Sequence, residues 1–310
     1  DTMPQWAGSS WYFLRYTDPH NTEAFASKEA LKYWLPVDWY NGGMEHVTRH
    51  MIYSRFWHRF LYDIGEVPTP EPYAKRTAQG LILGPDGEKM SKSKGNVVDP
   101  NDVVKEYGAD VLRVYTLFMG DYASAAPWSE SGVKGVKRFI DRTAALTDIA
   151  HGSGETPCLA SSFHKTVKKV SDDIEAMKFN TAIAALMKLL NEISDHGALT
   201  VDELKTFITL LNPFAPHITE EMWEALGGKG LLSLAAWPEY DPAKTVDEIV
   251  EVAVQVNGKV RAVVSLPMNA APEVALATAK ADPRVQPHLD SKTVVREITV
   301  PNKLINFVVR

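Results

Sequence analysis

The sequence predicts an α/β protein in three parts: a segment of parallel sheet, an α-helical bundle and a small α+β domain. Near the start, an apolar run at 35–40, the turn Asn41-Gly42-Gly43, an amphipathic stretch at 45–64 and a second apolar run at 77–83 follow the strand–helix–strand order of a parallel sheet. From 129 to 226 apolar residues recur with helical period almost throughout. From Ile249 the pattern becomes alternating and is interrupted by Asn257-Gly258, a strong hairpin signal.

In chain order, Ser9-Ser10 precede the bulky run 11–16, which reads as a short helix ended by Thr17-Asp18-Pro19. The stretch 45–64 reads as one long helix with Gly65 behind it. Its apolar positions Met51, Phe56, Phe60 and Leu61 alternate with Arg49, Arg55 and Arg59, as on a helix with one core-facing stripe. Asp99-Pro100 opens a further helix, and Gly108-Ala109-Asp110 caps another over 111–119. Helices are expected at 129–150, 162–177, 180–194, 201–211 and 218–226. A proline-containing linker at 237–246 leads to strands at 249–256 and 259–266, a helix at 272–281, and strands at 293–300 and 303–309.

The 310 residues are 45% hydrophobic and 23% charged, ordinary for a globular chain with a sizeable core. No apolar run approaches the roughly 20 residues of a membrane span, so no membrane partner is expected. The one cysteine, Cys158, excludes an internal disulfide and a multi-thiolate zinc site, and suits a reducing cytoplasmic setting. Net charge is −6, which argues against indiscriminate nucleic-acid binding. From Ile249 onward, however, eight Lys/Arg face five Asp/Glu, a net +3 that leaves −9 for the remainder. That asymmetry points to a polyanionic partner at the C-terminal end. Asp1-Thr2-Met3-Pro4 reads as the middle of a chain, and a fragment is expected.

Two constellations carry chemistry. Lys89-Met90-Ser91-Lys92-Ser93-Lys94-Gly95-Asn96 follows the turn formers Gly84-Pro85-Asp86-Gly87. Ammonium groups, hydroxyls and glycine-freed backbone N–H groups on an exposed loop suit a polyphosphate. His46 and His50, four apart, are expected on one helix face beyond Gly42-Gly43. A metal ion, two ordinary core histidines and a small-molecule pocket all fit that spacing. Glu45 precedes the first histidine instead of following it, and no cysteine is near, so no metal site is expected and position favours the pocket.

The lysine loop resembles the Lys-Met-Ser-Lys-Ser signature of class I aminoacyl-tRNA synthetases. The motifs Met3-Pro4-Gln5-Trp6-Ala7-Gly8-Ser9-Ser10-Trp11-Tyr12, Gly42-Gly43-Met44-Glu45-His46 with His50, Gln79-Gly80 and Tyr107-Gly108-Ala109-Asp110 narrow the likeness to the bacterial-type leucyl-tRNA synthetase family. Trp128-Ser129-Glu130-Ser131-Gly132, Phe179-Asn180-Thr181-Ala182, Asn212-Pro213-Phe214-Ala215-Pro216-His217 and the run from Val254 to Arg261 extend it over nearly the whole chain.

The resemblance implies the second half of a Rossmann-like parallel-sheet catalytic domain at 1–83 and a lysine-loop and stem-contact region at 84–127. An anticodon-binding-type helical bundle at 128–236, a linker at 237–248 and a tRNA-binding α+β domain at 249–310 follow. It implies ATP-dependent activation of leucine, with Mg2+ accompanying the ATP, then transfer to tRNA-Leu. Trp6, Ser9, Tyr12, His46 and His50 match the leucine pocket, and Gly43, Glu45 and Gln79 match residues near the adenosine. Lys89 and Lys92 match the phosphate-holding lysines, while Lys259 and Arg261 are candidates for the tRNA backbone. The family's His-x-Gly-His motif, its editing domain and cysteines for a zinc module are missing from the 310 residues. The chain is therefore expected to need the N-terminal half of the same enzyme and to be inactive alone; a monomer is expected. Valine, isoleucine or methionine synthetases, and a non-catalytic tRNA-binding module, are the alternatives.

Overall fold

The computed structural model describes residues 5–245, 249–290 and 292–310. Met3 and Pro4 of the first motif, and 246–248 at the end of the expected linker, lie outside them. The chain divides into two units, Asp1–Gly154 with Lys169–Pro238, and Glu155–Lys168 with Glu239–Arg310.

In the first unit a 3-10 turn, Gln5–Ser10, leads into α1 (Tyr12–Arg15). A helix the sequence reading passed over, α2 (Lys28–Trp34), is capped by Ser27, whose Oγ accepts from the Ala30 N–H at 3.3 Å. Phe13, Leu14, Leu31, Leu35 and Val67 pack beneath them.

The expected strand at 35–40 contracts to a bridge between Val37 and Tyr73 and to β1 (Tyr40–Asn41). Pro36 has no N–H for a ladder, which favours a short strand. The expected helix at 45–64 is two pieces: a 3-10 turn at Met44–His46, then α3 (His50–Asp63). Arg49, with φ −122° and ψ −99° and no side-chain cap, breaks the helical path, so His46 and His50 do not share a regular helix face. The expected stripe holds in part, at Met51 and at Leu61, which packs partly buried against the core. His50, Met51, Ser54 and His58 are buried, whereas Phe56 and Phe60 are exposed.

The strand expected at 77–83 is interrupted too. β2 (Arg76–Thr77) pairs in parallel with β1, and β3 (Ile82–Leu83) pairs in parallel with β4 (Ala126–Pro127). Between them the Gly80 N–H donates to Tyr122 O at 2.7 Å. A β-carbon at Gly80 would lie 1.8 Å from Ser124 O, so only glycine permits this close passage.

α4 (Pro100–Tyr107) begins at Asp99, whose carboxylate accepts from the Asn101 N–H, and α5 (Ala109–Phe118) follows at once. α6 (Glu130–Ala144) is capped by Ser129 and gives way to a 3-10 turn at Ala145–Asp148. α7 (Pro157–Glu175), whose first turns belong to the second unit, starts five residues before its expected position and is followed by α8 (Phe179–His196). α9 (Val201–Leu211) opens with a capping box between Thr200 and Glu203, and α10 (Pro216–Ala225) ends the series. Leu186, Leu190, Ile193, Leu204, Phe207, Ile208 and Phe214 are buried to within 1%. Each such side chain stabilises the fold by about 1.5–3 kcal/mol relative to exposure. α5 packs against α6 and α8, so this helix ahead of residue 128 is part of the bundle's packing.

The second unit holds β5 (Ile249–Val256), β6 (Lys259–Pro267), α11 (Pro272–Ala281), α12 (Gln286–Leu289), β7 (Val294–Val300) and β8 (Leu304–Val309). The sheet order is β6-β5-β8-β7, parallel only between β5 and β8. Alternate residues Val252, Val254, Val264, Ile305 and Phe307 form its core with Ala279 of α11 and Val285. Among the described residues, no helix is long and apolar enough to cross a membrane.

Candidate active site

Two elements meet at the carboxyl end of β1. Gly42 N–H donates to Thr77 O at 3.2 Å, and Arg76 Nη2 donates to Gly43 O at 3.3 Å, which stitches the glycine turn to β2. Glu45 folds back over Gly43: a β-carbon there would lie 2.4 Å from Glu45 Oε2 and would displace the carboxylate.

Around His50 the structure assembles a wall of rings. Tyr40 and Tyr12 lie 5.5 and 5.9 Å from it between centroids, His46 lies edge-on at 6.4 Å, and Trp6 meets His46 at 5.9 Å. Tyr73 lies tilted against Tyr40, 4.4 Å between centroids, and places its hydroxyl 3.4 Å from His50 Nε2. His50 is 4% exposed, and neither its Nδ1 nor that of His46 has a hydrogen-bond partner among the described residues. Burial, with a smaller contribution from His46, holds His50 below the usual histidine range, so the ring is neutral near pH 7. Burial also raises Tyr40, helped by its hydrogen bond with Tyr12, and pushes Tyr73 up to about 12.

Trp6, Tyr12, His46 and His50 are thus brought together. Ser9 belongs to the Trp6 turn, and its Oγ donates to Trp6 O at 2.9 Å instead of reaching the histidines. Tyr40 and Tyr73 escaped the sequence reading. Tyr40 immediately precedes Asn41-Gly42-Gly43 and could have been suspected, whereas Tyr73 arrives only through the β1–β2 pairing.

Gln79 lines a different hollow, a cavity of about 260 Å³ bounded by Gly80, Leu81, Thr116, Met119 and Tyr122. Tyr122 ties that side to the glycine turn, its hydroxyl accepting from Asn41 Nδ2 at 2.6 Å.

The lysine loop leaves β3 through a tight turn, Gly84 N–H to Glu88 O at 2.8 Å, and passes a 3-10 turn at Lys92–Lys94 before Gly95 reverses it at φ +66°. Lys94 pairs with Glu88 at 3.5 Å, while Lys89 and Lys92 are exposed and have no ion pair among the described residues. No hydrogen bond or ion pair among these residues joins the loop to Glu45 or the histidines. No group of three or more His, Cys, Asp or Glu among them could hold a metal ion.

In the second unit, Asn257 and Gly258 make the β5–β6 turn with φ +51° and +77°. Asn257 also exchanges hydrogen bonds with the Val309 backbone, at 3.0 and 2.9 Å. Lys259 and Arg261 are exposed on the edge strand β6, Arg261 at the register shift opposite Val254 and Gln255.

Residues 11–129 match the family tRNA synthetases class I (I, L, M and V), and 158–276 match the anticodon-binding domain of tRNA ligase. The leucine–tRNA ligase of Alkaliphilus oremlandii (strain OhILAs) is 54% identical over 311 residues, covering 100% of this chain and 39% of the relative. The LeuRS–tRNA–LeuAMS ternary complex of Agrobacterium radiobacter K84 superposes with a TM-score of 0.76 at 33% identity, covering 98% of this chain and 42% of that one. A Mycobacterium tuberculosis methionyl-tRNA synthetase in complex with methionyl-adenylate reaches 0.57 at 18% identity over 72% of this chain and 50% of its own, a likeness of fold alone.

The parallel strands, the ring-walled glycine turn and the bundle behind the lysine loop define the class: part of a Rossmann-like class I tRNA-synthetase domain joined to an anticodon-binding domain. The small α+β domain completes the chain. Within that class the chain is a homologue of leucine–tRNA ligase, and it spans about 39% of the length of that curated relative.

Proposed function

We propose that this polypeptide works as part of a leucine–tRNA ligase, which activates leucine with ATP and passes the leucyl group to tRNA-Leu. The observation that carries this reading is His50, a buried, neutral imidazole walled by Tyr12, Tyr40 and Tyr73 whose Nδ1 has no partner among the described residues. An unsatisfied buried nitrogen costs about 1–3 kcal/mol, which the polar head of a bound amino acid would offset. Trp6, Tyr12 and His46 complete the apolar side of the leucine pocket, with Ser9 behind Trp6. Gly43 and Glu45 flank the adenosine, with Gln79 on its far side.

The reaction is in-line attack of the leucine carboxylate on the α-phosphorus of ATP, with pyrophosphate leaving. It needs positioning and charge neutralisation more than a protein nucleophile. Lys89 and Lys92 supply the neutralisation as exposed cations that no carboxylate engages among the described residues. Mg2+ travels with the ATP phosphates and water, in keeping with its preference for phosphate oxygen. Lys259 and Arg261 meet the tRNA backbone from the β6 edge, where cations gain by counterion release.

The site is incomplete in this chain, and the N-terminal half of the same enzyme supplies the rest. Ile52, Tyr53, Phe56 and Phe60 on the outer side of α3 are exposed by 58, 48, 72 and 51%, an apolar face suited to such a neighbour. The completed protein acts as a cytoplasmic monomer. Its parts are the half-sheet at 1–83, the lysine-loop region at 84–127, the bundle at 128–236 and, after a linker at 237–248, the tRNA-binding domain at 249–310.

Leucine-dependent exchange of pyrophosphate into ATP tests the reading. The chain alone should show almost none, and a polypeptide covering the part of the relatives that it does not span should restore it. Strong exchange by the chain alone would overturn the incomplete site. Failure of the restored pair, with tRNA still bound, would leave a tRNA-binding module instead.

A further inference from the structure

One side chain ties together the base of the lysine loop. Asn96 reaches back across its base: Nδ2 donates to both Asp86 carboxylate oxygens at 3.1 and 3.0 Å and lies 3.4 Å from Lys89 O. Its Oδ1 accepts from the Ser91 N–H at 2.8 Å. One amide thus joins residue 86, ahead of the loop, to the backbone of Lys89 itself and of Ser91, the residue before Lys92. The surroundings are shaped to let this clasp close. At Gly84, buried between its two halves, a β-carbon would lie 2.6 Å from Asp86 Oδ1 and 2.8 Å from Asn96 Nδ2. Gly95, at φ +66° in the left-handed region, turns the chain so that Asn96 can return. The Asp86 carboxyl is held below its usual range, first by Asn96 and then by the Glu88 backbone N–H. It also accepts that N–H at 3.1 Å.

We propose that Asp86 and Asn96 are positioning residues that preset the backbone carrying Lys89 and Lys92, so that both ammonium groups meet a polyphosphate from an ordered loop. This rests on the leucine–tRNA ligase reading above. A loop ordered in advance has less conformational freedom to lose when the polyanion binds. The clasp touches no substrate, so its loss weakens the use of ATP and leaves the amino-acid pocket alone.

The test is a pair of exchanged variants in the complete enzyme, read by leucine-dependent ATP–pyrophosphate exchange. Asn96→Asp sets two carboxylates face to face. Asp86→Asn combined with Asn96→Asp restores the pairing, because Asn at 86 donates to Asp at 96 and the latter still accepts from Ser91 N–H. The double variant leaves net charge unchanged, so recovery reports the contact and not the electrostatic sum. Asn96→Asp should lower kcat/KM for ATP about tenfold, with KM for leucine within about twofold, and the double variant should regain most of the loss. Single variants that leave the ATP parameters within about twofold, or a double variant at least as impaired as Asn96→Asp, would overturn the proposal. If the wild-type enzyme shows no leucine-dependent exchange, the functional reading fails instead. Calorimetric binding of inorganic tripolyphosphate to the same variants then decides the clasp: about tenfold weakening with rescue upholds it, and equal affinities overturn it.

Discussion

Replacing Asp110 with alanine should loosen the joint between α5 and α10 more than any other single change at that contact. α10 opens with Pro216, and its own cap residue, Ala215, has no side chain that could accept a hydrogen bond. Asp110, 7% exposed at the start of α5, fills that role from a distance of 107 residues. Its carboxylate accepts from the Ile218 N–H at 2.7 Å, from the His217 N–H at 3.3 Å and from His217 Nδ1 at 2.7 Å. Loss of a capping side chain costs about 0.5–2 kcal/mol, and a hydrogen bond to a charged group contributes about 1.5–3 kcal/mol. These estimates overlap because both count the backbone donors, so the expected loss is about 2–4 kcal/mol. The His217 side chain is 72% exposed, so His217→Ala should cost under about 1 kcal/mol. Urea denaturation gives the totals, and hydrogen exchange at the amides of 217 and 218 localises them. Exchange there should quicken about thirtyfold in Asp110→Ala, the equivalent of about 2 kcal/mol. A loss below about 0.5 kcal/mol, or equal losses in the two variants, would refute a capping role for Asp110.

Gly80→Ala must move the backbone, because its β-carbon would lie 1.8 Å from Ser124 O. It should cost about 3 kcal/mol or more, whereas Gly8→Ala, with open space around it, should stay within about 0.5 kcal/mol of wild type in the same denaturation assay. In the complete enzyme, Lys92→Ala should lower the rate of adenylate formation by about 10²–10³ while leucine affinity changes little; equal losses in both would contradict a phosphate role. His50 and His58 are both held below the usual histidine range, chiefly by burial. The unfolded chain takes up protons near pH ~6.5 that the folded chain refuses, so stability should be flat above that pH and fall below it. His58→Phe should reduce that slope, and equal stability of the wild type at pH 5 and 7.5 would count against the burial. Glu71, held at about 2 by hydrogen bonds from Arg55 and Arg59, adds a separate loss as pH falls from about 4.3 toward 2. That step is small because the carboxylate is 40% exposed.

Much of this architecture is legible one segment at a time. Ser129, Thr200 with Glu203, and Asp99 before Pro100 mark helix starts through hydrogen bonds that span at most three residues. Asn257-Gly258 marks its hairpin because only certain residues tolerate two successive positive φ angles. The alternation from Ile249 to Val256 determines which side chains enter the core of the small domain. The lysine loop, too, is visible as a run of cations after a cluster of turn formers. These features depend on neighbours in the chain, and local sequence is enough to determine them.

Tertiary structure decided the rest, because the partners lie far apart in sequence. Period alone placed Phe56 and Phe60 in a core, yet α3 buries His50, Ser54 and His58 instead, His58 against Phe13 and the Thr69 carbonyl. Gly108-Ala109-Asp110 and the segment from Asn212 to His217 read as two separate signatures until Asp110 is seen capping α10. Tyr73 joins His50 only because two parallel strands bring residues 40 and 76 side by side. A pocket of this kind is made where the chain returns to itself, and the His50 nitrogen left without a partner among the described residues is a property of that meeting, not of any one segment.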